Sequence, residues 1–320
     1  MNAPVELAAL LPHGHDLDRP ECVLATAAGD LYVSDSHGGV TRIHPDRTRT
    51  RYTGRSGELP GPIVPNGVAL EPDGSFLIAH LGDEGGVFRL TRDGRLSPVL
   101  REVDGTPLPS TNFVTRDRSG RLWVTVSTRA VPRDADYRPG ARSGFVVLDD
   151  GRGPRIVADR LGYTNECAPS PDGRWLYVNE TFARRLSRFP LRGDGLGAPE
   201  VVAEFGPGEF PDGLGMDVDG GVWVVCVVGN KVLRVAPDGA VTTVVDAGEP
   251  GYVAEVERAY RTGRMGPAHL RDGGGLLGHC SSIAFGGPDR RTAYLGSLRN
   301  GHLTRFDSPV AGVEPVGWHR

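Results

Sequence analysis

Five polar residues with side-chain oxygens recur at one position of a repeated sequence unit, each eight residues before a turn glycine: Glu21, Asn66, Asn112, Asn165 and Asp212. Carboxylate and amide oxygens, without thiolate or imidazole, are the ligands that hard divalent cations prefer. The set therefore predicts a site for one cation, Ca²⁺ first and Mg²⁺, Mn²⁺ or Zn²⁺ as substitutes, with these ligands: Glu21, Asn112, Asn165 and Asp212. Asn66 shares the register and is predicted to hydrogen-bond a substrate or to orient a ligand.

A cation at such a site would polarise a carbonyl or phosphoryl oxygen and acidify water, which allows hydrolysis without a serine or cysteine nucleophile. Asp212 is the predicted catalytic residue, because a carboxylate can act as general base or nucleophile and an amide cannot. The alternative interpretation is structural. Polar residues can cap strand ends, and the pairs Asn66-Gly67 and Asp212-Gly213 are common turn formers.

The repeat also predicts the fold. Each unit contains four short strands separated by tight turns, and six such units begin near the five residues above and near Ser282. We therefore expect an all-β, six-bladed propeller with four antiparallel strands per blade, as a single domain over residues 1–320. The first strand of each unit lines the channel, so the five residues form a ring at one mouth. Either residues 5–11 or residues 313–318 could complete the last blade.

Two insertions interrupt the regular spacing, at residues 129–143 within blade 3 and at residues 249–279 between blades 5 and 6. Because strand direction alternates, both should emerge on the face that carries the polar ring. Apolar residues at helical spacing predict a short helix over residues 253–260. The second insertion could be a lid or a cover for an exposed edge.

Further residues are predicted to lie in loops on the same face and are candidates for substrate binding: His37, His80, Arg129 and Glu180. A histidine near a cation could also move protons. The alternative is that all of them are ordinary solvated loop residues.

The composition restricts the partners. A formal charge of −4 and the lack of a long basic cluster argue against nucleic acid and anionic lipid, and no apolar run is long enough to cross a membrane. The expected partner is a small-molecule substrate, and the expected assembly is a monomer or a weak homodimer. The first residues lack the pattern of a secretory signal, which predicts a cytoplasmic protein. The four cysteines have no disulfide or zinc spacing and are predicted to be buried and reduced.

Several segments together resemble the SMP-30/gluconolactonase/LRE family: Pro20-Glu21, Pro65-Asn66-Gly67, Thr111-Asn112, Asn165 with residues 170–173, and residues 211–214 with Trp223. The resemblance implies a six-bladed propeller with one divalent cation, usually calcium, and hydrolysis of sugar lactones or, in relatives, organophosphates. It implies metal ligands at Glu21, Asn112 and Asn165 and a catalytic aspartate at Asp212. The chain departs from the family where Cys22-Val23 replace the common Gly-Pro after Glu21, and where residues 249–279 form a longer insertion.

The leading prediction is a metal-dependent lactone hydrolase of gluconolactonase type. Two other classes stay open. One is a different enzyme on the same scaffold, such as a metal-free strictosidine-synthase-like condensing enzyme or an organophosphate hydrolase. The other is a non-catalytic binding propeller with a structural ion.

Overall fold

A computed structural model describes residues 4–320 of the chain as six four-stranded antiparallel sheets that follow one another along the sequence. The first strands of neighbouring sheets contact each other all the way round, so the sheets are the blades of a closed propeller and the first strands line its channel. The predicted six-bladed all-β architecture is confirmed.

The strands of each blade run from the channel outwards. In blade 1 they are Val23–Ala25, Leu31–Asp35, Gly39–Ile43 and Arg49–Thr53, and in blade 2 Pro65–Leu70, Phe76–His80, Val87–Leu90 and Leu96–Leu100. In blade 3 they are Thr111–Arg116, Leu122–Val126, Gly144–Asp149 and Arg155–Leu161, and in blade 4 Thr164–Pro169, Trp175–Glu180, Arg185–Arg192 and Glu200–Glu204. In blade 5 they are Glu209–Met216, Val222–Val228, Lys231–Val235 and Val241–Asp246, and in blade 6 Cys280–Gly286, Thr292–Ser297, Leu303–Asp307 and Leu11–His13.

The N-terminal segment completes the last blade. Strand Leu11–His13 pairs antiparallel with Leu303–Asp307, with Leu11 opposite Arg305. Residues 313–318 instead cross the opposite mouth of the channel, where the Val313 amide donates to the Met216 carbonyl and the Trp318 carbonyl accepts from Ala27. The alternative left open by the sequence is thereby resolved in favour of the N-terminal segment, although only Leu11 of residues 5–11 lies in the strand itself.

Apolar side chains fill each of the six spaces between neighbouring blades. Tyr32 of blade 1 contacts Phe76 of blade 2 with ring centroids 5.5 Å apart, and Trp223 of blade 5 meets Phe285 of blade 6 edge to face at 5.2 Å. Alternate residues of each strand point into these spaces, which explains the aromatic and β-branched character of the strands.

The remaining elements are short. They comprise the helices Pro250–Arg261 and Ala268–Arg271, the 3₁₀ turns Leu7–Ala9 and Arg133–Asp136, the hairpin Glu102–Val103 with Thr106–Pro107, and strand Gly195–Leu196. The first helix includes the predicted residues 253–260. Across residues 4–320, no helix is long and apolar enough to span a membrane.

A seventh apolar cluster holds both insertions against blades 4 and 5. Phe182 follows the second strand of blade 4. Tyr137 from the first insertion packs against it with tilted rings, and Tyr260 from the helix Pro250–Arg261 stacks on it. Glu257 of the same helix forms an ion pair with Arg184. The insertions are thus anchored to the propeller through buried rings and a half-buried ion pair.

Within blade 5, a buried aspartate ties the turn after the first strand to the rest of the sheet. The Asp217 carboxylate is 1 % exposed and accepts hydrogen bonds from the amides of Asp219 and Gly221, from Trp223 Nε1 at 2.7 Å and from the Arg234 guanidinium. Asp117 makes the same contact with Trp123 in blade 3. These two repeats therefore share one fully satisfied polar contact.

Asp217→Ala is predicted to lower the free energy of unfolding by about 3–5 kcal/mol, because it leaves the buried Trp223 donor and the Arg234 guanidinium without an acceptor. Asp172 of the corresponding turn in blade 4 has a side chain that is 44 % exposed. The matched change Asp172→Ala should cost less than about 1 kcal/mol. Urea unfolding measures both changes in the free energy of unfolding. Equal losses in the two variants would show that the buried contact of Asp217 stabilises the fold no more than the exposed Asp172 does.

Candidate metal and substrate site

A cavity of about 460 Å³ lies at the end of the channel where the first strands begin. All five residues of the predicted ring line it: Glu21, Asn66, Asn112, Asn165 and Asp212. The first insertion contributes Arg133 and Tyr137 to the lining, and the second contributes Pro267, Leu270 and Arg271. The structure therefore brings the ring and both insertions together around one cavity.

Four of the five ring residues lie on irregularities of the first strands. Pairing with the second strand is interrupted between Thr111 and Phe113, which brackets Asn112, and between Thr164 and Cys167, which brackets Asn165. The same interruption brackets Asn66 and Asp212 in their blades. A bulge takes a residue out of the regular ladder and redirects its side chain, a use of bulges that is frequent next to active sites.

The glycines after Asn66 and Asp212 serve close packing between blades. Gly67 and Gly213 lie inside first strands and not in turns. A Cβ on Gly67 would come within 2.6 Å of the Phe113 backbone, and one on Gly213 within 2.4 Å of Ser281 and Ser282. The turn-former interpretation of these pairs is wrong, because glycine is needed here for the approach of the neighbouring strand.

Asn66 positions two other members of the ring. Its Nδ2 donates to Glu21 Oε1 at 3.0 Å and to the Asn112 carbonyl at 2.9 Å, while its Oδ1 accepts from Arg19 at 2.8 Å. Both polar atoms of its side chain are occupied within the protein. The contacts are those of a residue that orients Glu21.

The blade 4 side of the site is fixed in a similar way. Asn165 Nδ2 donates to Thr181 Oγ1 at 3.1 Å, and that hydroxyl donates to the Pro211 carbonyl at 2.8 Å. Asn179 Nδ2 donates to the carbonyls of Asp212 and Gly213, both at 3.0 Å. The backbone around Asp212 is thus held by two side chains of the neighbouring blade.

Three buried side-chain oxygens of the ring have no hydrogen-bond donor: Glu21 Oε2, Asn112 Oδ1 and Asn165 Oδ1. Burying an acceptor without a donor is costly, and several unsatisfied acceptors around one space are the expected partners of a cation. Residues 4–320 contain no cluster of three or more His, Cys, Asp or Glu side chains arranged for a metal ion. The donor set would therefore combine two carboxylates with two amides, which suits a hard cation such as Ca²⁺.

The carboxyl groups near this site are all affected by burial. Burial raises the pKa of Glu21 to about 7 and the pKa of Asp212 well above its usual range, to which the charge of Glu21 contributes. Burial also raises the pKa of Glu166, whose Oε2 accepts from the Leu214 amide at 2.8 Å. A bound cation would favour the ionised forms of Glu21 and Asp212, because an opposite charge lowers a carboxyl pKa.

The four predicted loop contacts do not line this cavity: His37, His80, Arg129 and Glu180. His37 Nδ1 is 2.5 Å from Asp35, and His80 Nδ1 accepts from the Val64 amide at 3.0 Å. Arg129 is paired with Asp159. The buried Glu180 carboxylate is held by Arg185 and Ser187. Each is satisfied by a neighbour in its own part of the fold, so the structure does not support their assignment as substrate contacts.

The cavity also contains residues that the sequence pattern does not mark, among them Arg19, Arg133 and Tyr163, and it contains Arg299 from a loop that is predicted to lie on the same face. Arg133 lies in the first insertion, so no periodicity marks it. Arg19 stands only two residues before Glu21, and this proximity to a ring residue is the one feature of the sequence that points to it.

The four cysteines are all buried and free, as expected.

Comparison with curated proteins finds partial relatives. A 6-deoxy-6-sulfogluconolactonase of Pseudomonas putida is 29 % identical over 249 residues, which cover 76 % of this chain and 72 % of that protein. The Arabidopsis thaliana protein strictosidine synthase-like 13 is 27 % identical over 157 residues, or 48 % of this chain and 36 % of that protein.

Among solved structures, the calcium-binding protein regucalcin of Agrobacterium tumefaciens superposes with a TM-score of 0.64 at 21 % identity, covering 95 % of this chain and 92 % of that one. This likeness establishes the shared fold. The family profile described as the SMP-30/gluconolactonase/LRE-like region matches residues 19–256, a span that includes all five ring residues. The chain belongs to the SMP-30/gluconolactonase/LRE-like family.

Proposed function

We propose that this protein is a divalent-cation-dependent hydrolase that opens the ring of a small lactone, a sugar lactone or a related compound. The observation that carries the proposal is the set of three donorless oxygens, from Glu21, Asn112 and Asn165, that line one cavity with Asp212. The relative from Pseudomonas putida, which is named as a lactonase, supports the reaction class. The calcium-binding neighbour supports Ca²⁺ as the first cation to test.

The roles of the residues follow from their contacts. Glu21, Asn112 and Asn165 would hold the cation together with Asp212, and a bound cation would polarise the lactone carbonyl. Asp212 accepts a proton from the water that adds to the carbonyl carbon. The ring C–O bond then breaks, the ring oxygen takes up a proton, and the product is a hydroxy acid.

Asp212→Asn is predicted to lower kcat for lactone hydrolysis by roughly 10²–10⁴-fold, because an amide of nearly the same shape cannot accept the proton. In the presence of a chelator, the thermal unfolding midpoint should stay close to that of the unchanged protein, since burial already raises the pKa of this carboxyl group. Acid release from a panel of sugar and aliphatic lactones measures the rate.

His37→Asn is the matched control for Asp212→Asn, because His37 lies in a loop on the same face but outside the cavity. Its activity should change less than about twofold. If the Asp212→Asn variant were as active as the control, Asp212 would not be the residue that accepts the proton.

Removal of the cation is predicted to abolish turnover and to lower stability. A cation present at 100 times its Kd contributes about 2.7 kcal/mol to the folded state, so the unfolding midpoint should fall with a chelator and recover with Ca²⁺. Elemental analysis before and after chelation identifies the ion. A metal-free protein with full activity would contradict the proposal and favour a metal-independent enzyme. Such an enzyme is the second candidate because of the partial similarity to strictosidine synthase-like 13.

Asn66→Ala is predicted to weaken Ca²⁺ binding by about 10–100-fold without removing a ligand, because residues that orient ligands contribute on this scale. The physical reason is the loss of the 3.0 Å hydrogen bond that fixes the Glu21 carboxylate. Calorimetric titration measures the affinity, and unfolding in chelator tests the fold separately. An unchanged Kd would show that Glu21 needs no such support.

A further inference from the structure

We propose that the lactone accepted by this cavity carries a second, negatively charged group, which Arg19, Arg133 and Tyr163 bind. The inference rests on the proposed function, because it names the class of lactone that the same site would take. It concerns the part of the cavity beyond the four predicted metal ligands.

The charges that line the cavity do not balance. Four guanidinium groups, from Arg19, Arg133, Arg271 and Arg299, face the two carboxylates of Glu21 and Asp212. A divalent cation on those carboxylates would neutralise them and leave all four guanidinium groups without a countercharge. An anionic ligand would supply that charge.

These arginines differ from most others in the propeller. Arg42, Arg116 and Arg234 each form an ion pair with a buried carboxylate at 2.5–2.7 Å. Within residues 4–320, none of the four cavity arginines forms an ion pair with a carboxylate. The Arg19 guanidinium donates to the Pro65 carbonyl and the Asn66 amide oxygen, and the Arg299 guanidinium donates to the Gly273 carbonyl.

Arg19 and Arg133 form the inner pair. Both are only partly exposed, whereas Arg271 and Arg299 are exposed at the rim. Both guanidinium groups line the same cavity. Two like charges that approach each other in a half-buried space repel, and an anion that contacts both would remove the repulsion.

Tyr163 provides an independent indication of a ligand. Its side chain is 4 % exposed and lines the cavity, and its hydroxyl makes no hydrogen bond of standard geometry, although Arg133 and Tyr137 lie beside it. The ring is fixed against Tyr137 and Phe182, at centroid distances of 5.5 and 4.7 Å, so the hydroxyl is held in place. A buried phenol without a partner is costly, and it can donate to an anionic oxygen.

The position of Arg19 relates this anion-binding group to the metal ligands. Arg19 contacts Asn66 Oδ1 at 2.8 Å, and Asn66 in turn contacts Glu21 at 3.0 Å. An anionic group bound by Arg19 therefore lies to one side of the ligand set and leaves the carbonyl end of the lactone to the cation. This arrangement suits a carboxylate or a sulfonate at the end of the sugar remote from the lactone carbonyl.

The test compares lactones that share a ring and differ in one group. D-Glucaro-1,4-lactone has a carboxylate where D-glucono-1,4-lactone has a hydroxymethyl group. A lactone with a sulfonate at carbon 6 is the second anionic substrate in the comparison. We expect a higher kcat/KM for at least one anionic lactone than for the neutral one, by on the order of tenfold to a hundredfold, the scale of one charge-assisted hydrogen bond. Arg133→Met and Arg19→Met should reduce this ratio toward unity, mainly through KM.

Arg142→Met is the matched control, because Arg142 is exposed in the same insertion as Arg133 and does not line the cavity. It should leave the ratio unchanged. Equal kcat/KM values for neutral and anionic lactones, or an equal loss on both in Arg133→Met, would overturn the anion site while leaving lactone hydrolysis intact.

Binding gives a readout that does not depend on turnover. Calorimetric titration of the Ca²⁺-loaded protein with glucarate and with gluconate should show tighter binding of the dianion, and Arg133→Met should remove the difference. If no lactone were hydrolysed but this difference appeared, the anion site would stand and the proposed reaction would fail. Equal binding of the two acids would count against the anion site.

Discussion

Apolar packing between neighbouring blades determines where every first strand begins, and the rest of the structure depends on it. Each of the six spaces between blades is filled by side chains from both sides, from Tyr32 against Phe76 to Trp223 against Phe285. Because a packed interior accepts little displacement, the starts of the strands are held at one level of the channel. Five polar residues from five blades can meet around one cavity only under this constraint.

The bulges in the first strands create the candidate site within an otherwise regular repeat. In a regular ladder each residue keeps its backbone paired with the second strand. The interruptions around Asn112, Asn165 and Asp212 remove this pairing at those three residues. Neighbouring side chains then hold the released segment, as Asn179 does for the Asp212 and Gly213 carbonyls. The site combines a rigid scaffold with backbone irregularity at a few chosen positions.

Sequence reasoning was most successful where structure repeats. The eight-residue interval between a polar residue and a turn glycine is a local pattern, so it identified Glu21, Asn66 and the other ring residues before any contact was known. It could not identify Arg133 in the first insertion or Tyr163 in the connection between blades 3 and 4, because loop conformation decides which of these side chains turn inward. A position at the correct face does not say whether a neighbour already occupies the side chain, as neighbours do for His80 and Glu180.

The pairing of Leu11–His13 with Leu303–Asp307 has a consequence for how the molecule is made. At a synthesis rate of about 5–20 residues per second, the first of these strands waits roughly 15–60 seconds for its partner to be translated. During that time blades 1 to 5 can assemble as they emerge, while the ring has two open ends. The step that joins strand Leu11–His13 to strand Leu303–Asp307 therefore takes place only after residues 303–307 have been translated.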